Sequence, residues 1–147
     1  MTNQCNRLKF PELRLSHAVD VQIRFSDYDS FGHINNNSYM SFFDLGKSDF
    51  LCRAMGRVCS PAELSAAIVN IDVDFLAPTP VGEPLAVQTA PVHLGERSFS
   101  LYQRIVNPLT GTVKAQAVST LAGFVIATQS GAPLRKDLRD AIAACIL

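Results

Sequence analysis

The apolar residues of this chain change their spacing twice, and this pattern limits the possible folds more than any other feature. Early in the chain, apolar residues alternate with polar ones, as in a half-buried strand: Val19, Val21, Ile23 and Phe25. From Ser38 onward the spacing becomes three, four and seven, which predicts a long amphipathic helix. Its apolar positions are Tyr39, Met40, Phe42, Phe43, Phe50, Leu51, Ala54 and Met55. After a break at Gly56–Pro61, strand-like alternation returns.

The remainder of the chain predicts four more strands. They are expected at Ile68–Leu76, from Leu85 to about Val92, at Ser98–Val106 and at Thr112–Ala127. The segments between them are rich in Pro, Gly and Asn, and they are short enough for hairpin-like connections. The predicted fold class is therefore α+β, with a curved antiparallel five-stranded sheet wrapped around one long central helix.

Small side chains distinguish one face of the last predicted strand. This face carries Val113, Ala115, Ala117, Ser119, Leu121, Gly123, Val125 and Ala127. Such a surface suits close contact with a helix, so we expect the long helix to pack there. A short amphipathic helix is also predicted over Arg135–Leu147.

Length and charge bound the class of protein. The 147 residues predict a single domain over 1–147, and 48% hydrophobic with 18% charged residues is typical of a globular chain. Thirteen basic and thirteen acidic residues balance to a formal charge of zero. Net charge therefore gives no reason to expect binding to nucleic acid or to an anionic membrane.

Cysteine and histidine spacing argues against a structural metal or a disulfide framework. Four cysteines are scattered without a CxxC pair, and three histidines lack the spacing of a metal site: Cys5, Cys52, Cys59, Cys145, His17, His33 and His93. We expect reduced thiols and no metal. The first sixteen residues lack the apolar stretch of a signal peptide, and no run of about 18 apolar residues occurs. These features predict a cytoplasmic protein.

A polar run joins the first strand to the helix. Asp27, Asp29 and His33 precede Asn35–Asn37, any one of which can cap the helix. The first N–H groups of a helix lack internal partners and carry partial positive charge. A carboxylate beside such donors suits acyl transfer, because the donors can hold the developing oxyanion. The same composition is also ordinary for a turn that only caps a helix, so both interpretations stand at this level.

The run Asp27–Asn36, continued by Tyr39 and Phe42–Asp44, resembles the DxDxxGHxNN signature of the hot-dog-fold thioesterases, specifically the 4-hydroxybenzoyl-CoA thioesterase-like acyl-CoA hydrolases. Later segments resemble the same family in the same order. They are Asp74–Pro78 with Gly82–Pro84, Leu94–Phe99, and Gly111 with Ala115 and Ala117. The resemblance covers nearly the whole chain, and it implies a hot-dog fold and an acyl-CoA thioester hydrolase.

The resemblance implies a catalytic role for Asp29, which either attacks the thioester or acts as general base on water. A backbone N–H at or near Asn36 would polarise the thioester carbonyl. His33 either orients Asp29 or water, or bonds only to the backbone. Asp27 is expected to support the loop through hydrogen bonds to turn N–H groups. No cofactor is expected, since coenzyme A is part of the substrate.

Substrate contacts are predicted at Asn35, Tyr39, Phe43 and Arg97. The aromatic residues belong mainly to the core, with one end of the stripe lining an acyl tunnel. Arg97 matches the place where relatives carry basic residues for the phosphates of coenzyme A, and Lys114, Arg104 and Arg57 are weaker candidates. Ala77 stands where many relatives have a basic or aromatic residue. The choice between coenzyme A and acyl carrier protein as donor therefore stays open.

The resemblance also implies a homodimer or homotetramer, because the family places each site at a boundary between two units. Three functions remain from the sequence. The first is an acyl-CoA thioesterase, the second is a thioesterase for acyl carrier protein, and the third is a non-catalytic acyl-binding protein in which the motif only caps the helix.

Overall fold

One long helix and one antiparallel sheet make up most of the computed structural model, which describes residues 17–60 and 64–146. The helices are α1 (Asn36–Met55) and α2 (Lys136–Cys145). The strands are β1 (His17–Asp20), β2 (Ala66–Phe75), β3 (Ala86–Leu94), β4 (Ser98–Val106), β5 (Val113–Val125) and β6 (Ser130–Gly131). The predicted α+β class, with a curved antiparallel sheet against a long helix, is confirmed.

The strand order within the sheet is β1-β3-β4-β5-β2, with the two-residue β6 added to the end of β5. β3, β4 and β5 form consecutive antiparallel pairs, as the short turns between them predict. β2 pairs with β5 rather than with its neighbour in sequence, β3. This connection places β2 at the end of the strand order.

The first strand is shorter than its alternating pattern predicts. β1 ends at Asp20, and within the described ranges one further ladder-like bond follows, from the Val21 N–H to the Leu85 carbonyl at 3.0 Å. The chain then enters a 3₁₀ turn at Phe25–Asp27, and Phe25 is 96% exposed instead of facing the core. The predicted strand is too long because the side chains continue to alternate between partly buried and exposed beyond Asp20, where β1 no longer pairs with β3.

The interior face of the sheet packs against α1. Ala115 and Ala117 of β5 are fully buried in the same core cluster as α1, as the small-residue face predicts. The other buried members of this cluster are Ile34, Tyr39, Phe42, Phe43, Leu85, Val87 and Ile105. However, the helix backbone also approaches the sheet closely at Gly46, opposite Val87 of β3 and Gln103 of β4. Helix α1 therefore lies over the centre of the sheet.

A hydrogen bond accompanies this close approach. The Gln103 side-chain amide donates to the Phe43 carbonyl at 2.9 Å and to the Thr89 hydroxyl at 3.0 Å. Gln103 is 1% exposed, so these partners satisfy a polar group that water does not reach. The contact therefore fixes both the height of α1 above the sheet and its position along the strands.

A second core cluster joins α2 to the far half of α1. Leu138 and Ile142 of α2 are fully buried against Phe50 and Leu51 of α1. The predicted short amphipathic helix is confirmed over Lys136–Cys145. Its position leaves the first turn of α1, at the opposite end of that helix, outside this second cluster.

We expect the Gly46→Ala substitution to destabilise the fold by about 1–3 kcal/mol, the usual cost of overpacking a core. An added Cβ would overlap the Val87 side chain and would lie 3.0 Å from the Gln103 amide nitrogen. Urea unfolding measures the change. Ser41→Ala, on the exposed face of the same helix, is the control. Equal stability of the two variants would contradict this account of how α1 packs.

Candidate active site

Asp29 lies in a tight turn that holds one of its carboxylate oxygens and leaves the other available. Asp29 Oδ1 accepts from the Phe31 N–H at 2.9 Å and from the His33 N–H at 3.4 Å. The turn is closed by one backbone hydrogen bond, in which the Asp29 N–H donates to the His33 carbonyl at 2.8 Å. Among the described residues, Oδ2 has no hydrogen-bond partner. The carboxylate is therefore oriented by the backbone and still has a free oxygen.

Gly32 allows the chain to make this turn. Its φ is +78°, a left-handed conformation that an L side chain adopts only with strain. The Gly32 N–H donates to the Asp29 carbonyl at 3.1 Å. The Gly in the GH part of the motif is thus required by backbone geometry, independently of any chemistry.

The N-terminus of α1 lies directly after this turn. Asn35 is the N-cap, and its side-chain oxygen accepts from the Asn37 N–H at 2.8 Å. The Ser38 N–H donates to the Asn35 carbonyl at 2.9 Å. Among the described residues, the N–H of Asn36 has no acceptor. It is therefore a free donor at the positive end of the helix dipole.

Asp27 is a structural residue, as the sequence predicts. It is 4% exposed, and its carboxylate accepts from the Arg24 N–H at 2.7 Å and from the Ser38 hydroxyl at 3.0 Å. Its carbonyl also accepts from the Asn35 N–H at 2.8 Å. These bonds tie the 3₁₀ turn to the first turn of α1, so the two aspartates of the motif have different surroundings.

Asp29 and Asn36 line one cavity of about 280 Å³. The segment that follows β2 forms its opposite wall, which is mostly apolar. The complete lining is Asp29, His33, Ile34, Asn36, Tyr39, Phe75, Leu76, Ala77 and Pro78. A carboxylate and a helix N-terminus on one side thus face apolar surface on the other, which suits an acyl group beside a polar reaction centre.

Tyr39 anchors the floor of this cavity to the loop after β2. Its hydroxyl lies 2.6 Å from the Thr79 hydroxyl, and both side chains are almost fully buried. Burial raises the pKa of the Tyr39 phenol above its ordinary value, so the phenol is neutral at physiological pH. Tyr39 therefore contributes a neutral hydrogen bond and apolar surface, and no charge, to the site.

The structure brings four of the predicted site residues together, since Asp29, His33, Asn36 and Tyr39 all line the cavity. The backbone of His33 contacts Asp29, whereas its exposed imidazole has no hydrogen-bond partner among the described residues. The side chain of Asn35 is used for capping and does not line the cavity. The predicted sites therefore converge on the turn and on the start of α1.

Two of the predicted substrate residues lie elsewhere in the chain. Phe43 is 2% exposed in the core and does not line the cavity, because its side of α1 faces the sheet. Arg97 is exposed just before β4. Phe75, at the cavity, pairs with Ala115 of β5, which in turn pairs with Ile105 of β4. Eight residues of strand separate Arg97 from Ile105, roughly 25 Å. Within one chain, Arg97 is therefore remote from Asp29.

Lys114, a weaker candidate for a phosphate contact, is already used inside the fold. Its side chain is 6% exposed, and its ammonium lies 2.7 Å from Glu83. Hydrogen bonds from Lys114 and Asn107 lower the pKa of the Glu83 carboxyl below its ordinary value. The Glu83 carboxyl is therefore ionised at neutral pH, and its pairing with Lys114 does not offer that lysine to a ligand.

Sequence reasoning missed the cavity wall at Phe75–Pro78. The segment has the pattern of a strand end followed by a turn, and Ala77 differs from the basic or aromatic residue of many relatives. Nothing in the local pattern states that this turn faces Asp29. The available signal is weak: Phe75 is an aromatic residue that remains 44% exposed at a strand end.

The fold defines a class of protein, the hot-dog-fold thioesterases, and the cavity of this chain places a carboxylate beside a helix N-terminus. A family model described as the thioesterase-like superfamily matches residues 23–142. The chain belongs to the thioesterase-like superfamily. The predicted fold family and the predicted enzyme class, thioester hydrolase, are confirmed at that level.

Individual relatives agree with this assignment. The chain is 24% identical over 123 residues to the long-chain acyl-CoA thioesterase FadM of Escherichia coli K12, covering 83% of this chain and 93% of FadM. A thioesterase from Thermus thermophilus, solved with coenzyme A and Zn, is 27% identical with a TM-score of 0.74, covering 87% of this chain and 92% of the other.

A predicted thioesterase from Bacillus stearothermophilus shares the fold with a TM-score of 0.78 at 23% identity, covering 88% of this chain and 96% of the other.

In the described ranges, no group of three or more His, Cys, Asp or Glu side chains is arranged to hold a metal ion. Neither α1 nor α2 is long and apolar enough to cross a membrane. The cytoplasmic location stays a prediction.

We expect Asn35→Ala to cost about 0.5–2 kcal/mol of stability, because the Asn37 N–H loses its capping acceptor. Thermal or urea unfolding gives the value. Asn37→Ala is the matched control, since the Asn37 side chain is exposed and makes no capping bond. A loss of stability in Asn37→Ala as large as that in Asn35→Ala would disprove the capping role of Asn35.

Proposed function

We propose that this protein is an acyl-CoA thioesterase that hydrolyses its substrate to a free carboxylic acid and coenzyme A. The observation that carries the proposal is that Asp29 and the free N–H of Asn36 share one cavity with an apolar wall. The relatives support coenzyme A as the thiol, since one is a long-chain acyl-CoA thioesterase and another was solved with coenzyme A. No cofactor is needed for this reaction.

The geometry suits each of two routes for the carboxylate. In the first, Asp29 Oδ2 attacks the thioester carbon, the C–S bond breaks, and the thiolate departs. The acyl group and Asp29 then form a mixed anhydride, which water hydrolyses. In the second, Oδ2 accepts a proton from the water that attacks the same carbon. In both routes the Asn36 N–H stabilises the negative charge that develops on the carbonyl oxygen.

The turn helps either route by holding the carboxylate in place. Oδ1 is fixed by two backbone N–H groups, so little conformational freedom is lost when the substrate arrives. The N–H of Asn36 is equally fixed by the capped helix. His33 lines the cavity, and its ring has no hydrogen-bond partner among the described residues. We infer that the ring contacts water or the thiol of the substrate at the opening of the cavity.

Two other functions would use the same fold. An acyl carrier protein donor would place the charge contacts on the rim outside the cavity. A non-catalytic acyl-binding protein would use the Asp29 turn only to lead into the helix cap. The available Oδ2 favours catalysis over the last function, because a purely structural carboxylate would be expected to use both oxygens, as Asp27 does.

We expect Asp29→Asn to lower turnover at least about a hundredfold on the best thioester, since the amide is neither a nucleophile nor a base. Thiol release is measured with acetyl-, hexanoyl-, palmitoyl-, benzoyl- and phenylacetyl-CoA. Asp140→Asn, the same chemical change at an exposed position of α2, serves as the control and is expected to retain activity. Both variants are first checked for wild-type unfolding behaviour.

The outcomes separate the three functions. Full activity in Asp29→Asn would reject the mechanism while leaving the thioesterase class intact. Turnover with acyl carrier protein thioesters but with none of the coenzyme A panel would transfer the proposal to the second donor. Binding of palmitoyl-CoA without any turnover, unchanged in Asp29→Asn, would support the acyl-binding protein instead.

We also propose that the protein is a homodimer, or a tetramer built from such dimers, joined along β2. This strand is ten residues long and stands last in the strand order, and strands at the ends of a sheet associate readily. Val69 is 63% exposed there. Phe75, at the end of the same strand, lines the cavity and is 44% exposed, so a partner along β2 would cover one side of the site.

We expect Val69→Lys to shift the protein toward monomer, because the lysine places charge on the edge that the partner would cover. Sedimentation equilibrium over a range of concentrations measures the change. Leu109→Lys, the same kind of change on the exposed β4–β5 loop, is the control. If the wild type is monomeric at every concentration, or if both variants behave alike, the β2 interface is rejected.

A further inference from the structure

A buried lysine lies directly behind the wall of the cavity. The side chain of Lys114, near the start of β5, is 6% exposed, and its ammonium donates to the Pro78 carbonyl at 3.1 Å. It also pairs with Glu83 at 2.7 Å. Lys114 therefore joins the two ends of the loop 76–84, because Pro78 belongs to its first half and Glu83 to its second.

The backbone of Lys114 holds the same loop. Its carbonyl accepts from the Leu76 N–H at 2.8 Å and from the Ala77 N–H at 3.1 Å. Leu76, Ala77 and Pro78 all line the cavity. A single residue of β5 thus contacts each of these three wall residues through a backbone or side-chain hydrogen bond.

The inner side of the loop contacts the catalytic segment. The Thr79 carbonyl accepts from the Ile34 N–H at 3.0 Å, and the Thr79 hydroxyl meets the Tyr39 hydroxyl at 2.6 Å. Ile34 directly follows the Asp29–His33 turn, and Tyr39 lies in the first turn of α1. The loop is therefore held between Lys114 on one side and the catalytic segment on the other.

The surroundings of the Lys114–Glu83 pair fit a structural role with a defined geometry. Glu83 also accepts from the Asn107 amide at 3.2 Å, so its carboxylate is held from the β4–β5 loop as well. A buried ammonium is costly unless its donors are used, and here two oxygen partners use them. An apolar side chain at 114 would leave the Pro78 carbonyl and the Glu83 carboxylate without this donor.

We propose that Lys114 is a positioning residue, which sets the distance between the apolar wall Leu76–Pro78 and the Asp29 carboxylate. It touches no substrate. It acts through the Pro78 carbonyl and through Glu83, and its effect reaches Asp29 through the Thr79–Ile34 hydrogen bond. This inference rests on the proposed function only for its kinetic consequence, because the coupling between Lys114 and Ile34 is a property of the fold.

The structural consequence is tested without any substrate. In Lys114→Met, the Ile34 amide is expected to exchange its hydrogen about tenfold faster than in the wild type, while the amides of β4 keep their rates. Lys47→Met is the matched control, since Lys47 is a partly buried lysine of α1 that pairs with Asp44, away from the loop. Lys114→Arg, which keeps donors for both partners, is expected to retain slow exchange at Ile34.

The kinetic consequence is a rise in KM with little change in kcat. The wall contacts the substrate, whereas the Asp29 Oδ1 bonds and the Asn35 cap do not involve Lys114. We expect Lys114→Met to raise KM about tenfold and to change kcat less than about threefold. Glu83→Gln keeps an acceptor for Asn107 but weakens the ion pair, so a smaller rise in KM is expected. Lys114→Arg is expected to stay within about threefold of the wild-type KM.

The outcomes are distinguishable from failure of the proposed function. Unchanged Ile34 exchange in Lys114→Met would overturn the positioning role, whether or not the protein hydrolyses any thioester. Equal acceleration of the β4 amides would also overturn it, because that pattern is general destabilisation. Fast Ile34 exchange supports the role, even if the wild type proves inactive on every coenzyme A thioester and the proposed function itself is rejected. With an active wild type, a fall in kcat at unchanged KM would overturn the stated kinetic consequence.

Discussion

The packing of α1 across the sheet is the constraint on which the remaining structure depends. Gly46 brings the helix backbone against Val87 and Gln103, and the Gln103 amide bonds to the carbonyl of Phe43. Because this contact fixes the helix along its axis, it also fixes where the first turn of the helix lies relative to the sheet. The first turn of α1, with the free Asn36 N–H, is thereby placed at the end of the sheet where β2 stops and the loop 76–84 crosses.

The site is built from two segments that the core holds apart at a set distance. One is the turn from Asp27 to Asn35. In it, the Asp27 carboxylate bonds to Arg24 before the turn and to Ser38 after it, and Asp29 keeps one oxygen available. The other is the loop after β2, held by Thr79 from inside and by Lys114 from outside. Thr79 and Lys114 hold this loop firmly because both are buried, and hydrogen bonds and charge pairs away from water resist rearrangement more strongly.

Local signals in the sequence explain why some elements were predicted well and others were not. β4 matches its predicted bounds, Ser98–Val106, because turn residues mark both of its ends. β1 was predicted too long, because Val21 and Ile23 still pack against the core after the ladder has ended. Three adjacent asparagines suited the N-cap equally well by composition, and only the structure distinguishes Asn35 from the other two.

Periodicity and turn chemistry are local properties, so the amino-acid sequence was enough to predict the kinds of element, their order along the chain and the carboxylate motif between the first strand and the helix. Other features became known only from the folded chain: β2 crosses to β5, the segment Phe75–Pro78 faces Asp29, Phe43 and Arg97 lie away from the cavity, and Lys114 is buried behind the wall. These arrangements depend on strand pairing and packing between distant residues, which the local hydrophobic pattern does not specify.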